Sequence, residues 1–123
     1  MKNFYKLLLL IFVIFLTGCA GSSYQEISAK DAYSMMVTED VFVVDVRTLE
    51  EFNTGHLDGA INVPVDSVKS DFSDKVTDNK DSKIIIYCQS GRRAIDALNM
   101  LSGMGYTNLY TFGGINDWSY ELE

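Results

Sequence analysis

The 123-residue sequence is poor in cysteine, histidine, proline and tryptophan, and each scarcity removes a class of protein. It has one histidine, His56, and two cysteines, Cys19 and Cys88, well separated in the chain. A structural zinc site needs several thiol or imidazole ligands at short spacing, so no metal is expected. The only proline is Pro64, and the nine glycines follow no period, which leaves out fibrous and proline-rich chains. Low-complexity tracts and internal repeats are absent. Basic residues number 10 against 17 acidic ones, a formal charge of −7. That balance argues against nucleic acid as a partner and against attraction to anionic lipid headgroups. Length and an ordinary hydrophobic content fit one globular domain.

An apolar run long enough to span a bilayer is also missing. Residues 7–16 form an unbroken apolar run of ten, about half of the roughly 20 that a transmembrane helix needs. Lys2 and Lys6 precede it, and Thr17, Gly18 and Cys19 follow. A basic start, a short apolar run and a small-residue exit describe an export signal. The exit Leu16-Thr17-Gly18-Cys19 resembles the lipobox of bacterial lipoproteins. That resemblance implies cleavage before Cys19 and lipidation of its sulfur. The expected organisation is a signal peptide at 1–18, a lipidated cysteine and tether at 19–26, and a folded domain at 27–123. The protein would be exported and membrane-anchored through its N-terminal lipid, on a periplasmic or extracellular face. Removing residues 1–18 takes away two lysines, so the body is more acidic still, at −9. Cys88 then has no partner for an internal disulfide. It is idle in the core or present for its reactivity.

The body alternates element types. Ser28 with Asp31 reads as a helix start, with Ala32, Met35 and Met36 toward a core. Residues 41–46 are a β-branched run suited to a buried parallel strand. Thr48 and Glu51 match a capping box for a short helix ending by Gly55. Residues 60–63 read as a brief strand, and Asp66 as the cap of a helix through Phe72. A polar connection at 73–82 leads to the clearest strand, 83–87. Ile95, Leu98, Leu101 and Met104, with Ala94 and Ala97, make an amphipathic helix ended by Gly103 and Gly105. Residues 108–112 give a last strand, and Ile115 onward a final helix containing Trp118. Such alternation predicts an α/β domain with a largely parallel sheet and helices on both faces. Ligands bind at the carboxyl ends of such strands, and Cys88 sits there on the best strand.

The loop after that strand reads C-Q-S-G-R-R, residues 88–93. A strand, tight loop and helix aim backbone N–H groups at one point, with Gly91 permitting the turn. The helix start and two arginines add positive charge, and all of these favour a thiolate. The same cradle suits an oxyanion. No histidine base is needed, and His56 lies in another segment. A buried, inert cysteine is the competing reading of Cys88.

Three stretches together resemble the rhodanese family of sulfurtransferases in its single-domain form. They are V-D-V-R-T-L-E-E-F-N-T-G-H-L-D-G-A-I-N-V-P at 44–64, C-Q-S-G-R-R at 88–93 and F-G-G-I-N-D-W at 112–118. The resemblance implies a rhodanese-like α/β fold, with a five-stranded, mainly parallel sheet flanked by helices on both faces. It implies that Cys88 is the nucleophile and accepts a sulfane sulfur as a persulfide. Gln89, Ser90, Gly91, Arg92 and Arg93 would bind the substrate, with the two arginines meeting an anionic donor. Asp45, Arg47 and His56 would brace the site, and Trp118 would be a core or cleft-wall residue. The partners would be a small anionic sulfur donor such as thiosulfate and a cyanide or thiol acceptor. No cofactor is expected, and the domain is expected to be monomeric. Many relatives continue past the tryptophan with glycine and proline; this chain reads Ser119-Tyr120-Glu121-Leu122-Glu123.

Two other functions compete. Cysteine-dependent phosphatases and arsenate reductases place the arginine six positions after the cysteine, whereas here position 94 is alanine and the arginines lie at +4 and +5. A persulfide carrier in the cell envelope would keep the thiol but turn over slowly with small acceptors; for a binding module the simplest sign would be loss of Cys88, and the intact loop argues against it.

Overall fold

The computed structural model describes residues 23–123. The segment expected to be an export signal, residues 1–18, and Cys19 lie outside the described residues. Five strands form one sheet: β1 (Gln25–Glu26), β2 (Phe42–Asp45), β3 (Ile61–Asn62), β4 (Ile84–Tyr87) and β5 (Leu109–Thr111). Their order is β1-β5-β4-β2-β3, and every pairing is parallel. Four helices accompany them: α1 (Ala29–Thr38), α2 (Leu49–Asn53), α3 (Val68–Lys75) and α4 (Arg92–Gly103).

The two-residue period of a strand decides where the cysteine points. In β4, Ile84 and Ile86 face the cluster built by Val68 and Phe72 of α3 and Ala94, Ala97, Leu98 and Leu101 of α4. Ile85 and Tyr87 face the opposite cluster, with Ala32 of α1, Leu57 and Phe112. Cys88 continues the first set, so its side chain lies on the α3–α4 face. All four residues of β4 are buried, as expected of a central parallel strand.

Local signals behave as read in several places. Ser28 accepts the Asp31 N–H at 3.0 Å and caps α1. Thr48 and Glu51 form both bonds of the capping box at the start of α2. Gly105 takes φ +98° just beyond α4, a left-handed conformation that glycine adopts at no steric cost.

Four expectations need correction. Asp66 caps nothing: it lies in a 3-10 turn, Val65–Ser67, and α3 starts after Ser67 without a side-chain cap. The polar stretch 73–82 begins as helix, because α3 runs to Lys75. Ile95 is 37% exposed, since the buried stripe of α4 is Ala94, Ala97, Leu98 and Leu101 and Ile95 lies off it. The final helix is a single 3-10 turn, Ile115–Asp117, with Trp118 after it. The tail is drawn elsewhere: Glu123 and His56 exchange backbone bonds of 2.8 and 3.0 Å. β1 escaped the residue reading and falls inside the segment read as tether. It is two exposed polar residues that pair only with β5, so it has neither period nor apolar run to betray it.

Leu98 is fully buried between α4 and the sheet. Leu98→Ala should cost about 2–5 kcal/mol of stability. In urea denaturation this should appear as a lower midpoint with an unchanged slope.

Candidate active site

The sulfur of Cys88 sits under the start of α4. Gly91 N–H donates to Sγ at 3.0 Å and Ala94 N–H at 3.4 Å. The helix has no side-chain cap of its own. The first N–H groups of a helix lack intrahelical partners, and here the sulfur accepts one of them. Gly91 makes this possible at φ +113°, and a Cβ there would lie 3.3 Å from Gly113 Cα. Cys88 is 1% exposed. The arrangement is an electron-rich sulfur held by amide donors at the positive end of a helix, the setting of a nucleophile or anion site.

Two groups of contacts fix the loop. On the β5 side, Gly113 accepts the Cys88 N–H at 3.3 Å, while Ile115 and Asn116 donate to the Cys88 and Gln89 carbonyls at 3.0 and 3.1 Å. A Cβ at Gly114 would overlap both of those carbonyl oxygens, so backbone packs directly on backbone. Gln89 Nε2 also donates to Asn116 Oδ1 at 2.7 Å. On the other side, Arg93 makes a two-pronged pair with Glu51, at 2.6 and 3.0 Å. The same Glu51 carboxylate accepts the Thr48 N–H at 3.2 Å. The capping box of α2 is thereby tied to the loop's last residue.

The remaining predicted residues fall into three places. Asp45 and Arg47 are buried together, with Arg47 Nη2 2.7 Å from Asp45 Oδ2. Arg47 further donates to the Gly55 carbonyl at 2.7 Å and to Gln89 Oε1 at 3.4 Å, which links this pair to the loop. His56 is part-buried in the turn after α2; its Nδ1 lies 3.0 Å from the Phe52 carbonyl, and its ring stacks on Phe52. No bond joins it to Cys88. Ser90 and Arg92 are exposed, and Arg92 has no carboxylate partner among the described residues. Of the five loop residues read as the cradle, Gly91 alone brings its amide to the sulfur. Ala94 was missed, because an alanine carries no side-chain signal for a backbone donor. The role of Gly113–Asn116 was visible only as part of a motif. Among the described residues, no group of His, Cys, Asp or Glu could hold a metal ion.

Among the groups shifted by these surroundings, Tyr87 and Glu51 bear on the site's behaviour. Burial pushes the Tyr87 hydroxyl well above its usual value, and it accepts the Leu57 N–H at 3.1 Å as a neutral phenol. The bonds from Arg93 lower Glu51 from 4.5 to about 2. A carboxylate depressed on folding stabilises the folded state fully above its unfolded value. That contribution is lost as pH falls from 4.5 through about 2.

Glu51→Gln should keep the capping geometry but remove the charge. Both partners are about one-third exposed, so the loss at pH 7 should be small, about 0.2–1 kcal/mol. The difference between parent and variant should vanish as pH is lowered from 4.5 to about 2, read from urea midpoints. Gly114→Ala should be far more severe. It must move the Cys88 and Gln89 carbonyls, and any reaction at Cys88 should fall by at least about tenfold, as expected for misplacement of a reacting group.

A family model for the rhodanese-like domain matches residues 28–121. The thiosulfate sulfurtransferase PspE of Escherichia coli (strain K12) is 39% identical over 74 residues, 60% of this chain and 70% of that protein. The tRNA uridine(34) hydroxylase of Buchnera aphidicola subsp. Baizongia pistaciae (strain Bp) is 34% identical over 91 residues. That match takes in 72% of this chain but only 29% of the relative, so the chain spans under a third of that protein. Among solved structures, a rhodanese with anions from E. coli superposes with a TM-score of 0.63 at 34% identity, covering 68% of this chain and 96% of that one. The matched residues, the parallel five-stranded sheet and the cysteine loop agree, and the chain belongs to the rhodanese-like domain family.

Proposed function

We propose that the protein is a sulfurtransferase that moves a sulfane sulfur from a thiosulfate-like donor to cyanide or a thiol through a Cys88 persulfide. The observation that carries this reading is the pair of amide donors, from Gly91 and Ala94, on the Cys88 sulfur. It is supported by the similarity to PspE, whose name gives thiosulfate as the donor.

In the first step the Cys88 thiolate attacks the outer sulfur of thiosulfate. The S–S bond of thiosulfate breaks, its electron pair leaves with sulfite, and Cys88 becomes a persulfide. In the second step an acceptor thiolate or cyanide attacks the outer sulfur. The persulfide bond breaks, its electron pair returns to Sγ, and the cysteine thiolate is restored. Neither step needs an oxidant, a metal or a histidine. The loop amides that face the Cys88 sulfur are placed to stabilise negative charge developing there. Arg92 is the open cation for the donor's anionic end, while Arg93 is held by Glu51. Because the enzyme is covalently modified between the two substrates, ping-pong kinetics follow.

The export reading belongs to the same proposal. Residues 1–18 are a signal peptide, Cys19 carries the lipid, and the monomeric domain works at a membrane surface outside the cytoplasm. Among the described residues no helix is long and apolar enough to cross a membrane.

Intact mass of the full chain, purified in detergent from membranes, tests both halves. The expected mass lacks residues 1–18 and carries a lipid on Cys19. After thiosulfate it should gain one sulfur, and cyanide should remove it as thiocyanate. Cys88→Ser should gain none. A folded, reduced Cys88 that takes up no sulfur would sink the thiosulfate mechanism, and loading without repeated turnover would identify a carrier.

A further inference from the structure

A groove of about 790 Å³ runs between α1 and residues 118–123, on the face of the sheet opposite to Cys88. Tyr33, Met36 and Val37 of α1 line one wall at helical spacing, Val41 and Val43 lie between, and the chain from Trp118 to Glu123 makes the other wall. Tyr120 stacks on Tyr33 at 4.1 Å and meets Trp118 edge-on at 5.0 Å, so aromatic contacts join the two walls. The second wall is fixed at its far end too, by the backbone bonds between Glu123 and His56.

Five large apolar side chains are exposed among the described residues, and three of them, Tyr33, Val37 and Leu122, line this one groove. Val37 is 67% exposed, so the fold itself makes little use of it. Scattered exposed apolar residues are ordinary, but a group of them along one groove marks a contact surface. The charged residues that line the groove are Asp58, Glu121 and Glu123, all acidic. Glu123 lies 3.5 Å from His56 Nε2, whereas Asp58 and Glu121 have no cationic partner among the described residues. An apolar centre with a polar rim is the anatomy of a protein interface. The sign of this rim selects a basic partner, and the aromatic faces of Tyr33 and Trp118 also attract cations. A second copy of this acidic chain would bring like charge to the rim.

We propose that this groove docks a segment of another protein in which apolar side chains are flanked by lysine or arginine. The apolar side chains cover Val37, Leu122 and Tyr33, and the flanking cations meet Asp58 and Glu121. The bound segment would lie against the tail that continues from Ile115 and Asn116, whose N–H groups hold the Cys88 and Gln89 carbonyls. The proposal does not rest on the sulfur-transfer reading and is tested without any sulfur donor.

The test titrates the full chain, in nonionic detergent, with the peptide acetyl-Lys-Lys-Leu-Leu-Lys-Lys-amide, with empty micelles as the blank. Trp118 is the one tryptophan of the sequence and lines the groove, so its fluorescence reports occupancy. Saturable binding is expected, and replacing both leucines by serine should weaken it at least about tenfold. Replacing the lysines by glutamate should abolish it. Val37→Asn, at an exposed position, should weaken binding at least about fivefold with an unchanged melting temperature. Asp58→Lys with Glu121→Lys should weaken it at least about fivefold, whereas Asp74→Lys with Asp78→Lys, on the α3 side, should change it by less than about twofold. Absence of saturable binding up to about 1 mM peptide overturns the proposal. So does equal binding of the serine peptide, or equal loss with the two pairs of charge reversals, since either describes attraction to an acidic surface at large. A dimer in sedimentation that Val37→Asn dissociates also overturns it, because a second copy then fills the groove.

Discussion

The amide groups that open α4 have no side chain to receive them, and the sulfur of Cys88 stands in that position. A sulfur that accepts the Gly91 and Ala94 N–H groups caps the helix, and in the proposed function it is also the reactive atom. The rest of the domain can be understood from that contact. It requires a central strand ending at residue 88, a left-handed residue at 91, and a helix starting immediately afterward. It also requires odd-even agreement along β4, since a slip of one residue would turn Cys88 to the opposite face of the sheet. Burial of all four β4 residues makes that register costly to change.

The loop is held from two directions by different physics. On the β5 side the hold is backbone against backbone, and Gly114 is needed because no Cβ fits there. On the α2 side it is charge: Glu51 receives Arg93, and the buried Asp45–Arg47 pair reaches Gln89. Two of the three arginines around the site are thereby matched by carboxylates of the fold. Attraction for an external anion then comes from the amides, the helix terminus and Arg92.

Much of the site was legible in the sequence because chemistry there is carried by residue types with few alternatives. A cysteine at a strand end, a glycine three residues later and a threonine–glutamate capping box each have a local meaning. Two failures are instructive. Ala94 supplies an amide to the sulfur, and an alanine reveals nothing about its backbone. Ile95 fits the helical period of the core residues, yet the helix turns it outward; an apolar residue at the right spacing is not distinguishable from a core residue until the helix is docked. β1 was invisible for another reason: its two polar residues become a strand only because β5 offers an edge.

The sequence by itself determined the α/β alternation, the central strand, the start of α1, the capping box of α2 and the cysteine loop. All of these follow from periods and caps that operate within a few residues. Tertiary structure decided the strand order, the edge strand β1, the abrupt end of the chain's last turn and the pairing of Arg93 with Glu51. Each of these joins segments distant in the chain, and the energy that selects them exists only once both partners are brought together.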